Sequence, residues 1–242
     1  MFLKDLKEDS QKILFLEFNM LIMMAEGDED TTCKDIKETS INYKSNVFWQ
    51  NINEQEGSLL LKQVEEIAEK DKTSIFYSNY GSKDILNQLT ISFGSHCLIN
   101  SIENQMELTL SEYSKLEEFK TEVMREIFLS REDILNIDAE MIKRFMLKNS
   151  RVKQEILIRT ADSVLEYRKD NLDNFDSKEK KIILFELIRS AYNSGGFNDY
   201  EKTIFLHICK ILEIENEYIE EFIDVSTRLF KIKEELVDLI EE

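Results

Sequence analysis

Apolar side chains recur at three- and four-residue intervals along most of this chain, the spacing that lines one face of an α-helix. "DSKEKKIILFELIRSAYNS" opens with an Asp176-x-x-Glu179 capping box and sets Ile183, Leu187 and Ala191 on one face. "NDYEKTIFLHICKIL" opens with Asn198-x-x-Glu201 and aligns Ile204, Ile208 and Ile211. "YIEEFIDVSTRLFKIKEELVDLI" repeats apolar residues at Ile219, Phe222, Ile223, Leu229, Leu236 and Ile240, with an acidic face opposite that suits a solvated surface helix. In the middle, "SEYSKLEEFKTEVMREIFL", "DAEMIKRFMLKN" and "VKQEILIRTADSVLEYRK" share the helical period. Between Thr73 and Ile102 the pattern is mixed. "TSIFYSNYGS" suits a short strand entering a turn, and "LTISFGSHCLI" reads as helix interrupted by Gly94. With no proline and 6 glycines, helix breakers are scarce. The pattern predicts an all-α helical bundle with a long, mostly helical segment in its middle.

Two of those glycines stand together in "NSGGFNDYEK", Asn193 to Lys202. A helix that ends in a left-handed glycine, Gly195 or Gly196, followed by the Asn198 cap of the next helix, makes a tight hairpin. A second version lies near the N-terminus, where "KILFLEFNMLIMMAEGDED" resembles "KIILFELIRSAYNSGGFND". At a shift of 169 residues Lys12, Ile13, Glu17, Gly27 and Asp30 meet identical residues, and at 168 the turns align better, with Asp30 on Asn198. An ordinary helical hairpin accounts for both copies without any function. No Gly/Ser-rich linker marks a domain boundary, and "RKDNLDNFDSKE" is the best loop candidate. The division expected is an N-terminal hairpin half over 1–50, a helical middle segment or insertion over 51–170, and a C-terminal half over 171–242 packed with the first.

Charge changes the choice of partner. The formal net charge of −18 repels nucleic-acid backbones and anionic lipid, and favours basic protein surfaces or divalent cations. Residues 213–242 hold eleven acidic against three basic side chains, net −8. Cys33, Cys97 and Cys209 are odd in number and far apart, a pattern of reducing compartments. "MFLKDLKEDSQK" alternates charged and apolar residues, unlike a signal peptide. The most apolar run, Met20 to Ala25, is too short to cross a bilayer. These features suggest a cytoplasmic protein without direct membrane insertion.

The hairpin wording resembles the tellurite-resistance TerB-like family. Its signature is an apolar helix ending Ala-x-Ala-Asp-Gly, then a variable residue, an aliphatic residue or Phe, a capping residue and a glutamate inside the next helix. "SGGFNDYE" carries Gly195, Phe197, Asn198 and Glu201 in those places, and "ICKILEI" is similar to the segment that follows. The match covers about residues 171–215, with a weaker one over 2–33. It departs at Ser194, where the family has an acidic residue, and at Cys33, where the first copy would need the glutamate. The resemblance implies a compact helical domain with two capped hairpins. It also implies a setting in stress response, membrane-associated assemblies or phage defence, and divalent-metal binding through acidic turns.

Candidate chemistry is sparse. "EGDEDTTCKD" superficially resembles a cation loop, with neither EF-hand spacing nor a correctly placed glycine, and a solvated acidic turn is the favoured reading. A metal site here would use Glu26, Asp28, Asp30, Asp199 and Glu201. His96-Cys97 and His207-x-Cys209 put potential zinc ligands on different helix faces, so the cysteines are expected to be small buried groups. No nucleophile elbow or phosphate loop occurs. Phe48 and Trp49 are either an exposed partner surface or core. The expectation is a non-enzymatic interaction or regulatory module for a protein partner, without a cofactor. The alternative is a divalent-metal-responsive protein using the acidic turns, which include Gly27.

Overall fold

The computed structural model describes residues 2–25, 59–60, 62–63, 66, 96–129, 149–171, 175–193 and 196–241. Among them are seven α-helices and no strand: α1 (Asp9–Met23), α2 (His96–Tyr113), α3 (Glu117–Leu129), α4 (Ser150–Arg168), α5 (Ser177–Asn193), α6 (Asp199–Ile211) and α7 (Asn216–Glu241). Short 3-10 turns cover Leu3–Asp5 and Lys169–Asn171.

α1 is the axis. Every residue from Leu14 to Ala25 is buried, because α4, α5 and α6 surround the helix. "LFLEFNMLIMMA" has apolar residues on all sides, and only a fully enclosed helix tolerates that pattern. α5 and α6 each pack more extensively on α1 than on one another. α4 also meets α6, and its pairing with α2 is the most extensive in the structure. Polar links hold that pairing: Ser163 to Ser101 at 3.2 Å, and Arg159 Nη2 to Glu112 at 2.7 Å. The chain start lies on α5, where Leu3 and Leu6 are buried and the Phe2 ring meets Phe185 edge-on at 5.5 Å.

Local chemistry places the helix starts. Gln11 Oε1 accepts the Lys7 and Glu8 N–H groups at the head of α1, each at 3.2 Å. At α5, the Glu179 N–H donates to Asp176 Oδ1 at 2.8 Å, and Glu179 Oε2 accepts the Asp176 N–H at 3.0 Å. At α6, Asn198 Oδ1 accepts from Tyr200 and Glu201, and Glu201 Oε2 accepts the Asn198 N–H, all at 2.9 Å.

The structure departs from the pattern in two places. "SEYSKLEEF" has helical spacing, yet the helix breaks at Ser114–Leu116. In one continuous helix Tyr113 and Phe119 would face different sides. The break brings both buried rings into edge contact at 4.9 Å. Of the apolar residues expected to line the last helix, Ile219 is buried, and Phe222 and Ile223 pack against the core. Leu229, Leu236 and Ile240 are exposed. The candidate strand near Thr73, the segment after Asp138, Phe48, Trp49 and Gly27 lie outside the described residues.

Two left-handed residues close the ends of α5 and α6. Gly196 has φ +99° and donates its N–H to Ala191 O at 2.9 Å, while Gly195 lies outside the described residues. At the end of α6 the left-handed residue is Glu213, φ +55°. Its N–H bonds Lys210 O, and that of Ile214 bonds Cys209 O, both at 3.0 Å, in a Schellman motif that favours glycine. A side chain at Glu213 therefore strains the backbone. Urea unfolding should show Glu213→Gly stabilised by about 1 kcal/mol. Gly196→Ala should lose about 1 kcal/mol through its backbone alone, because nothing lies within 4 Å of an added Cβ.

Candidate functional site

The acidic residues suggested as a metal site are only partly described. Glu26, Asp28 and Asp30 lie outside the described residues. Asp199 is exposed in the first turn of α6. Glu201, one turn in, is buried with Oε2 on the Asn198 N–H. Oε2 is therefore already engaged as the cap of α6. Among the described residues no three His, Cys, Asp or Glu side chains come together in a metal-sized group.

Of the zinc candidates, the side chains of His96 and Cys97 are not among those described. His207 Nε2 stands 2.9 Å from Asp162 Oδ1 on α4. Cys209 is buried between helices, and burial pushes its thiol up to about 12, so it stays protonated and unreactive at neutral pH.

Buried carboxylates elsewhere were expected only as a cap, Glu179, and as a repeat identity, Glu17 with Glu186, and not as partners of distant groups. Glu17, enclosed in α1, receives Arg168 from the end of α4 in a two-pronged pair, with Nε on Oε2 and Nη2 2.6 Å from Oε1. Both side chains are more than nine-tenths buried. Glu186, its counterpart in the repeat at a shift of 169, is also buried, and Oε1 accepts the Phe2 N–H at 2.6 Å. Arg189 Nε lies 2.8 Å from Glu186 Oε2 as an ion pair whose N–H is not aimed at the oxygen. Glu179 takes a third role. Its Oε2 also accepts Gln11 Nε2 at 2.9 Å, while the Lys7 ammonium stands 3.4 Å from Oε1. Gln11 and Glu179 correspond at a shift of 168, so the two repeat-related helix heads are joined to each other through their own capping residues. The available signal was the register itself: acidic or amide residues at matching places in two apolar helices.

Chemically, these carboxylates tie elements together. Each accepts a donor from a different part of the chain or from its own cap. Burial pushes the Glu17 carboxyl above its ordinary range, and Arg168 partly opposes this by hydrogen bonding and charge. A carboxyl raised in the folded state binds its proton more tightly there. Its contribution to stability is therefore full below pH 4.5 and declines as pH rises through the folded value.

No family model, curated protein or solved structure matches the chain. No helix among the described residues is long and apolar enough to cross a membrane.

The Glu17–Arg168 pair makes an asymmetric prediction at neutral pH. Glu17→Ala leaves the guanidinium buried without its carboxylate and should cost about 3–5 kcal/mol. Glu17→Leu with Arg168→Met replaces both charges by apolar groups and should cost less than Glu17→Ala. Urea denaturation of the single and double variants measures the difference, and equal losses would show that the pair acts through packing volume alone.

Proposed function

We propose that this chain is a non-enzymatic interaction module, an adaptor or regulator that docks a protein partner through α7. The observation that carries this reading is the distal part of that helix. α5 and α7 run side by side in the same direction: Lys181 sits over the Tyr218 ring at 3.5 Å, Phe185 meets Phe222, and Tyr192 stacks on Phe230 at 5.1 Å. α5 ends at Asn193, and α7 continues to Glu241. Beyond Phe230 every described side chain up to Ile240 is exposed, including five apolar ones, Ile232, Leu236, Val237, Leu239 and Ile240. A helix end that holds so many apolar groups in water gains little from its own packing and is suited to burying them against another molecule.

Charge supports the partner's chemistry. Asp224, Glu235 and Asp238 belong to a strongly acidic C-terminal stretch, so a basic protein surface would be drawn to it. The resemblance of Gly195, Phe197, Asn198 and Glu201 to the TerB-like hairpin supports a stress-response or defence setting in the cytoplasm. The cation reading draws on Asp199 and the acidic turn at Glu26 to Asp30, and the cap made by Glu201 weighs against it.

Capture from the native cell with the full chain as bait tests this reading. A partner should be retained at low salt, released as ionic strength rises, and lost from an Asp224→Lys, Asp238→Lys variant. Calorimetric titration with calcium, magnesium and manganese checks the cation reading. Saturable binding abolished in Asp28→Ala, Asp30→Ala would displace the docking reading in favour of a metal-responsive protein.

A further inference from the structure

Five of the seven exposed apolar residues of α7 fall on one line. Val225, Leu229, Ile232, Leu236 and Leu239 follow one another at intervals of four, three, four and three, and all five are exposed. Phe222, three residues before Val225, continues the series into the core, where its ring lies 6.2 Å from Phe185. Alternating three- and four-residue steps are the seam of a coiled coil, narrower than the stripe a helix presents to a globular core. The first half of α7 already has support on another side. Thr227 meets the Tyr192 hydroxyl at 2.6 Å, and Phe230 stacks on the Tyr192 ring, both from outside the seam. The seam itself is left over.

We propose that this seam is covered by α7 of a second copy of the chain, lying antiparallel, to make a two-fold symmetric dimer. The occupant is chosen by the residues that flank the seam. With Leu229 opposite Ile232 of the second copy, Val225 falls opposite Leu236, and the two-fold axis passes between residues 230 and 231. In that register Arg228 lies beside Glu235 of the second copy, and symmetry makes the pair twice. On the other edge Lys233 falls at the level of Ser226, which carries no charge and is buried within its own protomer. Parallel, in-register helices would instead put Arg228 against Lys233, like charge on like. A shift by one heptad in the antiparallel arrangement would set Glu235 against Glu235 and Lys233 against Lys233. Of these three arrangements, only the first is apolar along the seam, complementary along one edge and free of like-charge pairs.

Arg228 now pairs with Asp224 at 3.0 Å, one turn back on the same helix, and both side chains are about two-thirds exposed. Such a surface pair is worth little, so the guanidinium can turn to Glu235 of the second copy at small cost. In this register the seam is symmetric from residue 225 to 236, about 18 Å of helix, short for an isolated coiled coil, and Leu239 extends it toward Phe222 of the second copy. Here the first half of each α7 is already held by α5, which lowers the ordering cost of pairing. The acidic side chains Asp224 and Asp238 lie off the seam and stay free for another protein. The dimer therefore rests on the reading of α7 as a docking surface, and still leaves the acidic face available.

Sedimentation of the purified full-length chain tests this without any other protein present, so its outcome is separate from capture in the cell. The mass should rise with concentration from 28.7 kDa toward twice that value. Ile232→Glu with Leu236→Glu should hold it at the protomer mass, with helicity by circular dichroism unchanged apart from the end of α7. Arg228→Glu and Glu235→Arg should each weaken association about tenfold, by turning two attractive pairs into repulsive ones. The exchange of both, Arg228→Glu with Glu235→Arg, should restore it. A parent chain that stays at 28.7 kDa at every concentration overturns the dimer. Association that tightens in Arg228→Glu overturns the antiparallel arrangement, because that is the response of parallel helices.

Discussion

The enclosure of α1 is the constraint on which the rest of the described structure depends. A helix apolar on every side has no face to offer water, so α4, α5 and α6 must close around it. Closure then forces a second condition. Glu17 and Asn19 lie in the middle of that helix and are carried inside with it. A buried carboxylate without a partner would cost several kcal/mol, on the order of a substantial fraction of a domain's whole stability. Arg168 answers Glu17 from the end of α4, and Gln63 Oε1 accepts from Asn19 Nδ2 at 2.7 Å. The polar contacts of α1 thus select which elements may stand beside it, and the apolar contacts supply the stabilisation.

A similar logic joins the two ends of the chain. The heads of α1 and α5 are capped by Gln11 and by the Asp176–Glu179 pair, and Gln11 reaches across to Glu179. Phe2 adds its N–H to Glu186 and its ring to Phe185. Residues separated by about the full length of the intervening segment are therefore fixed at both backbone and side-chain level. Loop-closure entropy opposes contacts of such long sequence separation, and burial of Leu3, Leu6 and the α1 side chains has to outweigh it.

Function is argued at the opposite extreme of the same molecule. α7 begins in the core at Ile219, leans on α5 through Phe222 and Phe230, and then outruns it. One helix thereby joins a rigid anchor to an exposed amphipathic end, and a surface built this way is positioned by the bundle without being covered by it. The end of a helix with few tertiary contacts opens at low free energy, so covering its seam would order the segment as well as bury it. The dimer and the acidic face use different sides of that helix and need not compete.

Helix periodicity, the capping boxes at Asp176 and Asn198 and the need for a left-handed residue before Asn198 were legible along the chain, because each is a relation between residues a few positions apart. So was the apolar character of α1. Sequence alone could not choose between a solvated acidic turn and a cation loop, and no local pattern marks Glu17 as the partner of Arg168, which lies 151 positions away. It also placed Leu229, Leu236 and Ile240 among core-facing residues, for a definable reason: an apolar face reads the same whether a neighbouring helix reaches it or stops short. Where α5 ends relative to α7 is a property of the packed bundle. The sequence by itself determined which residues form helices and which faces avoid water; the tertiary structure decided which of those faces find cover, because cover depends on where other segments run in space.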